Sequence, residues 1–86
     1  MKLIYCRECQ DIVKLARIPR RCFCGKSGGQ YQDAINATIS GPCIPIGIAN
    51  SAFLSAMQNR PESGQGECFE AFVIPKKCPT VVENKE

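Results

Sequence analysis

At 86 residues the chain is close to the size at which one hydrophobic core is marginal and some extra staple is usual. It has seven cysteines, an odd number that cannot pair completely within the chain, and no histidine, so the commonest general base is absent. The formal charge of +3 falls short of the basic footprint of a typical DNA-binding domain, and no apolar run reaches the roughly 18–20 residues of a membrane span.

The chain opens on "MKLIYCRECQ", which lacks an apolar run followed by a small-residue cleavage site. A reducing, cytoplasmic setting is therefore expected, where cysteines more often hold metal than pair with one another. Cys6 and Cys9 form a C-x2-C turn, and Cys22 and Cys24 a C-x-C turn, with twelve residues between the pairs. Tetrahedral zinc takes four soft ligands, commonly two from each of two tight turns. The intervening residues suffice for two short antiparallel strands that bring the second turn back to the first. "DIVKLARI" is the expected first of these, ended by Pro19. Gly25, directly after Cys24, suits a left-handed position where the turn leaves the site. An iron site of the rubredoxin kind, a disulfide or free thiols are the competing readings.

These residues, Cys6, Cys9, Cys22, Cys24 and Gly25, resemble the zinc-ribbon family over roughly the first 30 positions. The second turn departs from the commonest C-x2-C pattern. The resemblance implies one structural zinc ion on the four thiolates, and an adaptor role toward nucleic acid or a larger protein.

The same stretch, "RRCFCGKSGG", overlaps the end of a phosphate-binding loop. A loop of the form G-x-x-x-x-G-K-[ST] ending at Gly25-Lys26-Ser27 would need glycine at position 20, where Arg20 stands. Nucleotide hydrolysis by such a loop is excluded. Anion contact by backbone amides and Lys26 stays open beside the plainer reading of a solvated turn. Residues 1–30 carry seven basic side chains against Glu8 and Asp11. Four thiolates with a divalent ion carry a net charge of about −2, which offsets part of that excess. Tyr5, Phe23 and Tyr31 are the only aromatics near it, a thin supply for stacking on single strands.

Beyond the turns, "DAINATISGP" alternates Ile35, Ala37 and Ile39 with polar residues and reads as a half-buried strand, stopped by Gly41 and Pro42. "CIPIGIA" reads as an apolar loop, being rich in proline and glycine. "NSAFLSAMQNRP" reads as a helix capped by Asn50 or Ser51, with Phe53, Leu54, Ala56 and Met57 as its core face and Pro61 as its stop. "CFEAFVIP" is apolar on both faces and reads as a central or doubly covered strand. "TVVENKE" reads as a frayed tail. Cys43, Cys68 and Cys78 lack close spacing and are expected to be buried or free thiols.

The expected fold is therefore α+β: an N-terminal zinc ribbon with a small antiparallel sheet and one helix in a β-helix-β unit. One domain spans 1–86, with the cysteine turns in 1–32, the strand-loop-helix-strand unit in 33–80 and the tail in 81–86. The apolar loop leading into a helix N-terminus suggests a small-molecule pocket, since unpaired amides there attract anions. Its expected members are Arg21, Lys26, Ile46, Gly47, Ile48, Asn50, Ser51 and Phe53, facing a small anionic ligand such as a nucleotide. A loop packed under the ribbon or in a homo-oligomer interface is the plainer alternative. Glu62, Glu67 and Glu70 show no spacing suited to acid-base work, so no enzyme is expected. In size and lack of catalytic groups the chain looks like small phage proteins that sequester nucleotide signals, a likeness of format. Capture of a small ligand, within a homo-oligomer, is weighed against the adaptor role.

Overall fold

The computed structural model describes residues 1–84. Its strands are β1 (Lys2–Cys6), β2 (Ile12–Lys14), β3 (Arg20–Arg21), β4 (Gly28–Tyr31), β5 (Ala37–Ser40), β6 (Cys43–Ile48), β7 (Ala71–Val73) and β8 (Val81–Asn84), with one helix, α1 (Asn50–Gln58). They form two four-stranded sheets, β2-β1-β6-β7 and β3-β4-β5-β8. The first is antiparallel throughout, and the second is mixed because β8 runs parallel to β5. The α+β class expected from the sequence holds. Each sheet takes strands from both the first 32 residues and the remainder, so the cysteine turns are woven into the rest of the molecule.

The core follows from strand alternation, which sends every second side chain to one face. In β1, the fully buried Ile4 and Cys6 alternate with the less buried Leu3 and Tyr5; in β5, Ala37 and Ile39 alternate with Thr38 and Ser40. These residues join Val13, Leu15, Cys22, Cys43, Ile74 and Val81 in one apolar cluster. Truncating a fully enclosed side chain such as Ile4 to alanine is expected to remove about 2–5 kcal/mol of stability. Gly29 lets β4 come close to this core. A Cβ there would lie 2.7 Å from the Thr38 carbonyl oxygen and 3.1 Å from the Leu15 side chain.

Several elements differ from expectation, each for a tertiary reason. "DIVKLARI" is a strand only over Ile12–Lys14, and it pairs with β1 rather than with a second strand of the intervening segment, since β3 lies in the other sheet. The strand in "DAINATISGP" starts at Ala37. Before it, Asp33 accepts the N–H groups of Ile35 and Asn36 at 2.8 and 2.7 Å, so a turn leaves Ile35 exposed.

"CIPIGIA" is not a loop but the six-residue strand β6, flanked by β1 and β7. Pro45 is tolerated because its carbonyl faces the β7 side, accepting the Ile74 N–H at 2.9 Å just past the end of that pairing. No N–H is demanded of it there. Gly47 in the same strand lies beneath the Phe72 ring, which a Cβ would approach to 2.5 Å.

Helix α1 occupies the expected span, but neither Asn50 nor Ser51 caps it. Ala49 stands at the N-cap without a side-chain bond, and Asn50 Oδ1 accepts the Met1 amino group at 2.7 Å. The expected apolar face does not enter the core. No helix residue is buried, and Leu54 and Met57 are about half exposed. Phe53 instead packs edge-on against Phe69, with ring centroids 4.9 Å apart. The helix ends at Gln58, three residues before Pro61, with Asn59 donating its N–H to the Ser55 carbonyl at 3.1 Å.

"CFEAFVIP" supplies only β7, an edge strand whose three residues are all exposed. The supposed frayed tail contains β8, with Val81 buried against the core; Lys85 and Glu86 lie outside the described residues.

Candidate metal centre

Both cysteine pairs sit on hairpin turns. The link between β1 and β2 carries Cys6 and Cys9, and the link between β3 and β4 carries Cys22 and Cys24. The two turns repeat one backbone device. Cys6 N–H donates to the Asp11 carbonyl at 2.9 Å, and Cys22 N–H donates to the Ser27 carbonyl at 3.0 Å, five residues on in each case. The residue after the second cysteine is left-handed in both, Gln10 with φ 63° and Gly25 with φ 78°. Gly25 was anticipated from the sequence. Gln10 was not, because glutamine gives no signal for that conformation.

The four sulfurs lie within 4.8 Å of one another. Cys6 Sγ is 3.7 Å and Cys22 Sγ 3.5 Å from Cys24 Sγ. A tetrahedron with metal–sulfur bonds of about 2.3 Å has edges of roughly 3.8 Å, so the quartet is sized for one such ion. All seven cysteines are free thiols, which sets aside the disulfide reading for this arrangement. Cys43 stands opposite Cys6 in the β1–β6 ladder and is buried, Cys78 is partly buried and Cys68 is exposed. Burial, followed by the nearby Glu83 carboxylate, pushes the Cys43 thiol up, which keeps it neutral.

The chemistry of the donor set also fits a cation. The Ser27 hydroxyl, followed by the Cys9 and Glu8 amides, brings Cys6 down to about 6. Burial opposes the Cys22 thiolate, but the Ser27 N–H, 3.4 Å from its sulfur, helps to bring the thiol net down. At Cys24 the Lys26 amide favours the thiolate, yet desolvation and the three neighbouring sulfurs push the thiol up to about 12. One sulfur thus ionises readily and another resists, as expected of crowded thiolates without a positive centre among them. A divalent ion would supply that centre.

Ser27 gives a second sign. It is fully buried, and its Oγ makes no hydrogen bond of full geometry among the described residues, bearing on the Cys6 sulfur. A buried hydroxyl left unpaired is unfavourable, whereas a metal-bound thiolate sulfur accepts its proton. Asp11 contributes from the other turn, its Oδ2 accepting the Phe23 N–H at 2.9 Å. Sequence reasoning missed both residues. The available signal was their shared place, five positions after Cys6 and after Cys22.

The eight residues expected to form a ligand pocket fall into two groups. Arg21 and Lys26 are exposed on the second hairpin, where Arg21 Nη1 donates to the Gly25 carbonyl at 3.0 Å. Ile46, Gly47 and Ile48 lie on β6 in the other sheet, followed by exposed Asn50 and Ser51. Arg21 borders a hollow of about 210 Å³ with Pro19, Gln30 and Thr38, whereas Phe53 borders one of about 250 Å³ with Met57, Pro61 and Phe69. The structure therefore does not gather the eight around one cavity.

The chain matches no protein family, curated protein or solved structure. What fold and site together define is a small α+β protein with a four-cysteine cluster positioned to hold a metal ion. No helix is long and apolar enough to cross a membrane among the described residues.

Proposed function

We propose that this is a non-enzymatic zinc-ribbon protein in which one zinc ion on Cys6, Cys9, Cys22 and Cys24 is structural, and which captures a small anionic ligand such as a nucleotide. The observation that carries the metal part is the closed quartet of sulfurs on two matched hairpin turns. Four protein thiolates complete a tetrahedral shell and leave no position for a reactive water. Four thiolates accept zinc or iron, and zinc is preferred because the spacing of the two turns resembles that of zinc ribbons. In the metal-bound protein Arg7, Arg21 and Lys26 partly offset the charge of the centre.

Capture of a small anion is supported by the exposed cations Arg20, Arg21 and Lys26 on the second cysteine hairpin. This is the format of a sequestering protein of the phage type, working in the cytoplasm. The half-exposed Leu54 and Met57, three positions apart on α1, favour a homo-oligomer, because separate copies would leave that helix face in water.

One observation favours the adaptor role as a second reading. Phe23, at the tip of the second turn, is 91 % exposed beside the exposed Arg20, Arg21 and Lys26, a combination able to stack on a base and meet phosphates. Native mass measurement gives metal stoichiometry and subunit number. Calorimetry against a nucleotide panel, run beside a nucleic-acid shift assay with Phe23→Ala, separates the two readings. Heat from small molecules alone supports capture; nucleic acid retarded by the parent protein and released by Phe23→Ala overturns it.

A further inference from the structure

The largest hollow described lies away from the expected pocket, in a cleft of about 510 Å³ lined by residues of both sheets. Ile44 and Ile74 border it from the first sheet's side, and Val81 and Glu83, both on β8, from the second's. Arg7 and Lys76 supply two cationic groups on the same lining. The neutral, buried Cys43 thiol is another member of the wall. This size falls within the range of small-molecule sites, and an apolar body with a few charged groups is their usual make-up.

We infer that this inter-sheet cleft is the ligand site, and that it takes an organic anion with an apolar body, its charged end on Arg7 and Lys76. The inference rests on the capture reading above and replaces its location. Charge decides the class. Two cations and one carboxylate leave a net positive lining, so a purely apolar ligand would leave one of the two cations without a counter-charge and a cation would be repelled. Glu83 adds an acceptor for an N–H or O–H on the same ligand. The metal centre has a part in this site, because Arg7 directly follows the ligand Cys6 and its N–H is fixed on the Pro42 carbonyl at 2.9 Å. The ion that braces the first turn therefore positions one of the two cations.

The test uses zinc-loaded protein and two dyes with closely related ring systems, 8-anilinonaphthalene-1-sulfonate and the uncharged N-phenyl-1-naphthylamine. The sulfonate is expected to bind one saturable site and to shift the backbone amide signals of Ile44, Ile74 and Val81. Lys76→Glu is expected to weaken the sulfonate about tenfold while changing the neutral dye less than about twofold, since a charge-assisted contact is lost from one only. Arg7→Glu, with metal content verified by native mass, should act in the same direction. Lys76 is exposed, so its reversal leaves the fold intact, which an otherwise unchanged amide spectrum verifies. Shifts confined to Phe53, Met57 and Phe69, or sulfonate affinity indifferent to both reversals, would overturn the cleft assignment. If the sulfonate goes elsewhere but nucleotides still give heat, only the location fails. If neither binds, capture fails with it, and a zinc-free protein refutes the metal reading separately.

Discussion

The carboxylate of Asp11 accepts the backbone N–H of Phe23 at 2.9 Å, so the first cysteine turn grips the middle of the second through a bond that requires no ion. This contact holds the sulfurs near their places before a metal arrives. Asp11→Ala is expected to lower metal-free stability by about 1 kcal/mol and weaken metal binding by a similar free energy. Asp11→Asn keeps an acceptor and should recover part of both. Thermal melts of the metal-free protein and competition against a chromophoric chelator provide the two measurements.

Ser27 predicts effects of different size in the two metal states. With metal bound, its hydroxyl has a thiolate to donate to, and Ser27→Ala should weaken metal affinity roughly tenfold or more, the usual scale for partners behind metal ligands. Without metal the same hydroxyl is fully buried, makes no hydrogen bond of full geometry and bears on the Cys6 sulfur. Its removal should then change stability by less than about 1 kcal/mol. Equal destabilisation of both states would refute the proposed bond to sulfur.

At Gln10 the backbone is left-handed, with φ 63°, in the place that Gly25 fills in the other turn. An L side chain in that region is less favourable by about 1 kcal/mol, and glycine relieves it. Gln10→Gly should therefore stabilise the protein by up to roughly 0.5 kcal/mol after the added flexibility of the unfolded chain is counted. Denaturant midpoints at constant slope read this out.

Acid acts on two separate groups. Asp33 is held down to about 2, first by the Asn36 backbone N–H, then by the Asn36 side chain and the Ile35 N–H. Its folded value lies below the unfolded one, so its contribution is fully present above about pH 4 and is lost as pH falls through about 2. Asp33→Asn should flatten that part of the melting-temperature profile. Metal leaves at higher pH, because protons compete for every sulfur and the most readily ionised thiol, Cys6, titrates near 6 in the metal-free protein. Chelator competition should show affinity falling steeply as the solution is acidified.

How much was legible in the sequence depended on how local each cause is. The four-cysteine cluster was legible because two close pairs of sulfurs carry their own chemistry. The strand at Ala37–Ser40 was legible because one alternating face meets the core. Strand β6 was hidden by Pro45 and Gly47, which break strands unless a ladder stops at the proline and an aromatic ring covers the glycine. Both conditions here depend on β7 and its continuation, more than twenty residues away. The helix was legible in extent but not in orientation, since nothing within it tells whether Leu54 and Met57 meet a core. The cleft bordered by Arg7, Lys76 and Glu83 had no local signal at all, because it is assembled from three distant parts of the chain.

The parallel pairing of β5 with β8 sets a sequence of assembly. Cys6 and Cys24 are only 18 positions apart, whereas Ala37 meets Val81 across more than twice that span. Closing the longer loop loses more entropy and gains no metal–sulfur bonds in return. During synthesis the cysteine end can thus load its ion while the edge of the second sheet beside Ala37 and Ile39 still stands open. Until Val81 arrives to seal it, that edge is where a nascent chain would pair with a neighbour instead of with itself.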